Sequence, residues 1–206
     1  MKKLYISAEQ LLQYSVELAL QIAESGWQPD LIVGIWRGGT PVAIAVQEVL
    51  DFVGIRTDHI AIRTSSYTSI GNRTQVKVHG LEYLGPQIRS DERVLLVDDV
   101  FDTGLSFNQI LTELKTNYRQ NVPDIRIAAP FFKPDNNLTS RLPDYYLHTT
   151  SDWLVFPHEL QGLTDNEIRQ DKPGLKTLVE QLFQMRDKLL TNALENNLPE
   201  SDNTIS

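Results

Sequence analysis

The sequence predicts an α/β fold, a mainly parallel sheet flanked by helices, on two observations. Short apolar runs at residues 31–35, 59–63, 93–97 and 125–132 alternate with stretches of helical periodicity. The connections between most of them are short, the pattern of strands that run side by side with helices on the sheet faces.

Ser7 followed by Gln10 reads as a capping box, and Leu11, Leu12, Leu18, Ala19, Ile22 and Ala23 continue a helix that stops before Gly26. Leu31-Ile32-Val33-Gly34-Ile35 is a buried strand, bounded by Pro29-Asp30 before it and Arg37-Gly38-Gly39 after it. Thr40-Pro41 supplies an N-cap and a first-turn proline for a helix running through Ala43, Val46, Val49 and Leu50 to Gly54. A strand at 59–63 leads into a polar stretch, 64–75, with Ser65, Ser66, Ser69, Gly71 and Asn72. It is long for a structureless connection and reads as a mobile lid. A strand at 93–97, a helix at 103–118 and a strand at 125–132 complete the alternation.

Beyond Lys133 the chain turns irregular and aromatic, with Tyr145, Tyr146, Trp153 and Phe156 near Pro143 and Pro157. Residues 133–165 are expected to form a small hood over one end of the sheet. A helix follows at about 174–194. Residues 1–190 are taken as a single domain, and the polar, aperiodic tail 196–206 is expected to be disordered.

With 206 residues, 41% hydrophobic and 22% charged, the chain can bury one sizeable core. Its formal net charge of -8 and the lack of any Lys/Arg run argue against nucleic acid and anionic membranes as partners. The absence of Cys removes disulfides, thiolate nucleophiles and cysteine-ligated metals. No run approaches the roughly 20 apolar residues of a membrane span, and the start has no apolar signal core, so a cytoplasmic location is expected.

The chemistry concentrates in Val94-Leu95-Leu96-Val97-Asp98-Asp99-Val100-Phe101-Asp102-Thr103-Gly104-Leu105-Ser106. Adjacent carboxylates end a buried strand and a helix starts a few residues later. The helix start offers backbone N–H groups, Gly104 permits close approach, and the Thr103 and Ser106 hydroxyls can donate, so a phosphate fits there. Asp98 and Asp99 cannot take a phosphate, but they can accept from ribose hydroxyls or hold Mg²⁺ bridging to a diphosphate. The segment 34–40 lacks the lysine of a Walker loop, and its glycines do not spell a dinucleotide fingerprint.

The run from Val94 to Ser106 resembles the ribose-diphosphate donor motif of the type I phosphoribosyltransferases. Trp36-Arg37-Gly38-Gly39 is similar to their diphosphate-binding loop, and Ser66-Tyr67 to the serine-tyrosine pair in the catalytic lid of the hypoxanthine-guanine branch. The likeness covers about residues 30–159. It implies phosphoribosyl diphosphate as donor, held by Arg37, Gly38, Gly39, Asp98, Asp99, Thr103, Gly104, Leu105 and Ser106, with Mg²⁺ on Asp98 and Asp99. It also implies Asp102 as general acid/base, with Ser66 and Tyr67 closing the site. Relatives commonly form dimers or tetramers, so a homo-oligomer is expected.

Lys133-Pro134 and the later Asp152-Trp153-Leu154 resemble the base pocket of bacterial xanthine-guanine and related 6-oxopurine enzymes. In that resemblance Lys133 donates to the purine O6, Trp153 stacks on the ring and Leu154 lines the pocket. An ammonium has donors only, so it suits a carbonyl and mispairs with the amino group of adenine. Val155 and His158 depart from that branch, which tends to carry an acid and an aromatic there, so the preference among hypoxanthine, guanine and xanthine stays open. The expected activity is a Mg²⁺-dependent phosphoribosyl transfer to a 6-oxopurine in purine salvage. The alternatives are a nucleotide-sensing regulator on the same fold or a transferase for uracil or orotate.

Overall fold

The protein is described from a computed structural model covering residues 2–68, 74–81, 91–118 and 122–195. The elements follow as β1 (Lys3–Tyr5), α1 (Ala8–Glu24), β2 (Leu31–Trp36), α2 (Gly39–Phe52), β3 (Asp58–Thr68), β4 (Thr74–His79), β5 (Arg93–Val97), β6 (Val100–Phe101), α3 (Leu105–Tyr118), β7 (Asp124–Ala128), β8 (Phe131–Phe132), β9 (His148–Thr149), β10 (Trp153–Val155), α4 (Asp165–Asp171) and α5 (Val179–Glu195). Contacts divide them into two compact units, one reaching His158 and the other starting at Glu159.

In the first unit the main sheet has the order β4-β3-β2-β5-β7. β3, β2, β5 and β7 are parallel, and β4 is added antiparallel at the edge. This is the expected α/β class, and its core explains the unbroken apolar runs. Side chains alternate across a strand, so Leu95 and Val97 join Ile32 and the helix residues Leu18, Ile22, Val46 and Leu50 on one face. Val94 and Leu96 join Val33, Ile35, Ile110 and Leu114 on the other. Both faces are covered, so a central strand has no polar side to show. The capping box of α1 forms as expected: Ser7 Oγ accepts from Gln10 N–H at 3.1 Å and Gln10 Oε1 from Ser7 N–H at 2.9 Å.

The structure departs from expectation in several places. The polar stretch after β3 is not a structureless connection. β3 runs on to Thr68 and pairs with β4 from Thr68↔Thr74 to Arg63↔His79, because Thr, Ser and Tyr with alternating Val76 and Val78 suit an edge ribbon. The intervening residues 69–73, which include Ser69, Gly71 and Asn72, lie outside the described residues. α2 begins at Gly39 with Gly38, itself in helical geometry (φ -66°, ψ -35°), in its N-cap place, and glycine has no side chain with which to cap. Instead of capping, the Thr40 hydroxyl is buried without a hydrogen-bond partner among the described residues. The run 125–132 is interrupted after Ala128, where Pro130 cannot donate to a ladder, and Phe131–Phe132 joins a second parallel sheet of order β6-β8-β9.

The N-terminal β1 pairs with β10 in the register Lys3↔Trp153, Leu4↔Leu154, Tyr5↔Val155. This tether fixes the hood strand from the opposite end of the chain.

In the second unit, α4 is capped by Thr164 and Glu167, again reciprocally, and α5 packs Val179 and Phe183 against Ile168. Arg169 pairs with Glu180 and Arg186 with Asp165, and both guanidiniums lie over the Phe183 ring, 4.6 and 4.9 Å from its centroid. The helix expected from 174 starts at Val179, preceded by a 3₁₀ turn at Pro173–Leu175, as Pro173-Gly174 delays it. The tail 196–206, expected to be disordered, lies outside the described residues. Among the described residues no helix is long and apolar enough to cross a membrane.

Candidate active site

Parallel pairing builds the site. β2 and β5 are neighbours in the register Gly34↔Val97, so the turn after β2 and the acids after β5 leave the sheet side by side at its C-terminal edge. The Trp36-Arg37 peptide is cis, and Arg37 is exposed. Gly38 lies against the Asp99 carboxylate so closely that a Cβ there would overlap it. A Cβ on Gly39 would overlap the Val97 carbonyl oxygen and stand 2.6 Å from Asp98 Cα. At Gly39 the obstacles are backbone, so glycine is required there for the turn to seat on the acid motif, whereas a Cβ at Gly38 would displace the Asp99 carboxylate.

The two acids differ. Asp98 accepts from the Gly39 and Asp99 N–H groups, the latter at 3.0 Å, which anchors its carboxylate to the glycine turn. Asp99 is buried, at 8% exposure, with its Oδ2 3.7 Å from His158 Nε2, too long for a hydrogen bond but within ion-pairing reach. Burial first, then the neighbouring Asp99 charge, pushes the Asp98 carboxyl well above the usual carboxylate range against the two backbone donors.

An acid whose folded pKa is raised binds its proton more tightly folded than unfolded. Asp98 therefore withdraws stability as pH climbs from the usual carboxylate range through its raised value, and the whole penalty is present above that value. Asp98→Asn keeps an acceptor for the N–H groups and offers Asp99 a donor. In the presence of a chelator at neutral pH it should melt about 2–4 °C higher, the response to a gain on the order of 1 kcal/mol, with the gain shrinking in acid. A melting temperature that fell, or a gain that grew on acidification, would contradict the account.

The second half of the motif faces the hood. β6 and β8 pair as Phe101↔Phe132, and Lys133 N–H donates to Phe101 O at 2.9 Å, so the residues that follow, Asp102 and Lys133, meet. Lys133 is buried, at 6% exposure, and its Nζ lies 3.3 Å from Asp102 Oδ2 and 5.9 Å from the centroid of the Trp153 ring. Trp153 is half-exposed, which leaves ring surface for a planar ligand. Asn136 Nδ2 donates to the other oxygen, Asp102 Oδ1, at 2.7 Å.

At the start of α3, Gly104 has φ +74°, and a Cβ there would come within 2.7 Å of Thr139 Oγ1 and 2.9 Å of Asn137 Oδ1. The positive φ calls for glycine, and a Cβ would in addition make the Thr139 and Asn137 side chains shift. Leu138 N–H donates to Thr103 O at 3.0 Å, fastening the same hood segment over the turn. Leu105 N–H reaches Thr103 Oγ1 at 3.4 Å, and Ser106 lies in the first turn of α3.

The structure thus gathers Arg37, Gly38, Gly39, Asp98 and Asp99 at one edge of the sheet, and Asp102, Lys133 and Trp153 beside the helix start Thr103, Gly104, Leu105 and Ser106. Leu154 differs, since its side chain belongs to the apolar core and only its backbone is left for a ligand. Ser66 and Tyr67 lie on β3, paired with Val76 and Gln75. Sequence reasoning missed Asn136, whose only local signal is its place in a turn following Lys133-Pro134. It also missed β1, whose three residues carry no pattern.

Comparison with known proteins agrees with this architecture. The solved purine phosphoribosyltransferase of Pyrococcus horikoshii OT3 is 30% identical, with a TM-score of 0.62 over 80% of this chain and 98% of that one. The same fold is seen in a hypothetical protein of Neisseria gonorrhoeae solved with bound ppGpp, at 19% identity and TM-score 0.66 over 84% and 97% of the chains. It is seen again in the Helicobacter pylori xanthine-guanine-hypoxanthine phosphoribosyltransferase, at 22% identity and TM-score 0.60 over 75% and 92%. No curated protein sequence matches. The family model described as phosphoribosyl transferase domain matches residues 6–161, three quarters of the length and all the elements that carry the acid motif and the hood, so the chain belongs to the phosphoribosyltransferase family.

Proposed function

We propose that the protein transfers 5-phosphoribose from phosphoribosyl diphosphate to a 6-oxopurine, hypoxanthine, guanine or xanthine, in purine salvage. The observation that carries the reading is the buried Lys133 ammonium between Asp102 and the open Trp153 ring. An ammonium there donates to a purine carbonyl while the ring covers the base face, and the amino group of adenine would leave it unpaired.

In the reaction, N9 of the base forms a bond to ribose C1 as the bond from C1 to the diphosphate oxygen breaks, the diphosphate leaving with the electron pair. The N7 proton of the base passes to Asp102. The first turn of α3, from Thr103 to Ser106, would hold the 5′-phosphate, where N–H groups and the helix dipole favour an anion. Arg37, Gly38 and Gly39 would hold the diphosphate by charge and backbone N–H groups. Closure of the ribbon at Ser66 and Tyr67 would exclude water and protect the donor from hydrolysis.

Asp98 and Asp99 suit a hard cation. Among the described residues they are joined by no third side chain that could cage a metal, which leaves the other positions to substrate oxygens and water, the coordination Mg²⁺ favours. When bound, Mg²⁺ would neutralise charge on the departing diphosphate. The same reading takes the cytoplasm as the place of action and a homodimer or tetramer as the working form, the latter open to light scattering.

The test is a panel in which phosphoribosyl diphosphate and Mg²⁺ are supplied with hypoxanthine, guanine, xanthine, adenine, uracil or orotate in turn, and nucleotide and diphosphate are measured. Product with the oxopurines alone is expected. Product with uracil or orotate would move the assignment to another base, and none with any base would favour a nucleotide sensor. Asp102→Asn should lower turnover about a hundred-fold, the low end for loss of a proton acceptor, while donor binding is unchanged. Full turnover in that variant would remove Asp102 from the proton transfer.

A further inference from the structure

We infer that Asn136 is a positioning residue that holds the Asp102 carboxylate in aim while the base takes Lys133. The inference rests on the proposed reaction and adds to it a residue that the donor and base motifs do not contain.

The geometry begins with a short turn. Pro134–Asn136 is 3₁₀, with Asn136 N–H donating to Lys133 O at 3.2 Å. Lys133 is the residue that caps this turn and Asn136 the one that ends it, so the turn brings the two side chains close together. Both reach one carboxylate, Lys133 at Oδ2 and Asn136 at Oδ1.

The turn is not free to drift. Lys133 N–H donates to Phe101 O and Leu138 N–H to Thr103 O, so backbone bonds at its two ends grip the residues on either side of Asp102. A segment fastened on both flanks of a carboxylate presents its side-chain donor at a fixed place.

The consequence follows from the division of donors. Lys133 holds Asp102 before the base arrives, and the incoming carbonyl competes for that ammonium. Asn136 has no other hydrogen bond to an acid among the described residues, and its amide carries no charge to draw the purine O6 from Lys133. It keeps Oδ1 engaged, and Oδ2 is then the oxygen turned to the base N–H. A carboxylate held through one oxygen loses less orientational freedom when it takes a proton through the other.

Asn136→Ala should lower kcat about ten-fold, the loss expected for one hydrogen bond to a charged group. KM for phosphoribosyl diphosphate should stay within about two-fold, because binding that does not involve the reacting atoms leaves k and KM separable. The melting temperature should not move, since Asn136 is exposed. Asn136→Asp should be slower than Asn136→Ala, as it sets a like charge against Asp102. Joined to Asp102→Asn, Asn136→Ala should add no further loss, because the two act as one unit. Wild-type kcat in Asn136→Ala, or full additivity with Asp102→Asn, overturns the inference while leaving the transferase reading in place. A wild-type protein that forms no nucleotide from any base overturns both.

Discussion

Gly39→Ala is expected to lower activity about a hundred-fold, the scale on which a displacement near 1 Å disturbs a positioned reaction. The added methyl would overlap the Val97 carbonyl oxygen and stand 2.6 Å from Asp98 Cα and 3.0 Å from Asp98 Oδ1. The two nearest obstacles, the Val97 carbonyl and Asp98 Cα, are backbone and not the end of a flexible side chain. The carbonyl belongs to a central strand paired on both sides, so the glycine turn has to move instead. Moving it breaks the Gly39 N–H bond to Asp98 and separates the proposed diphosphate loop from the acids. Overpacking of this kind costs roughly 1–3 kcal/mol, and the melting temperature should fall by about 2–4 °C for each kcal/mol. Gly174→Ala makes the control, because nothing stands within 4 Å of a Cβ there and its φ is not positive. Steady-state kinetics with thermal melting of both variants decides the matter. Activity near wild type in Gly39→Ala would mean that the turn is not required to seat on Asp98.

The same residues show what a sequence can and cannot carry. β5 was legible because a strand covered on both faces must be apolar throughout, and Val94, Leu95, Leu96 and Val97 are. The juxtaposition of Gly38-Gly39 with Asp98-Asp99 was legible as soon as both were placed after parallel strands, since parallel register brings C-terminal ends together. The edge ribbon of β3 and β4 was not, because its Thr and Ser residues suit a loop as well as a strand, and the partner that decides is antiparallel and next in sequence only after an interruption. Asn136 was hidden for a different reason: its bond to Asp102 spans 34 residues, and no local pattern records a contact of that range. β1 illustrates the same limit, as Lys3 meets Trp153 from the far end of the chain.

Substitution at Lys133 is expected to change which base is used. The Lys133 side chain is buried, so its stem packs in the hood while its ammonium faces Asp102 and the Trp153 ring. An ammonium only donates, whereas the amide of a glutamine donates through its nitrogen and accepts through its oxygen. Lys133→Gln therefore still serves a 6-oxo group, with a neutral bond in place of a charged one, and gains an acceptor for a 6-amino group. Loss of a charged hydrogen bond of roughly 1.5–3 kcal/mol should reduce kcat/KM for hypoxanthine and guanine about 10- to 100-fold. Adenine, unable to pair with the ammonium, should now be used at a rate closer to theirs, so the hypoxanthine-to-adenine ratio collapses from both sides. Lys133→Met separates the two effects, since it keeps the stem and removes every donor and acceptor: it should lose the oxopurines without gaining adenine. Donor KM should hold in both variants, because the proposed phosphate and diphosphate contacts are on Thr103 to Ser106 and on Arg37 to Gly39. A wild-type ratio in Lys133→Gln would mean that the base is read elsewhere, and the choice of acceptor would have to be sought away from Lys133 and Trp153.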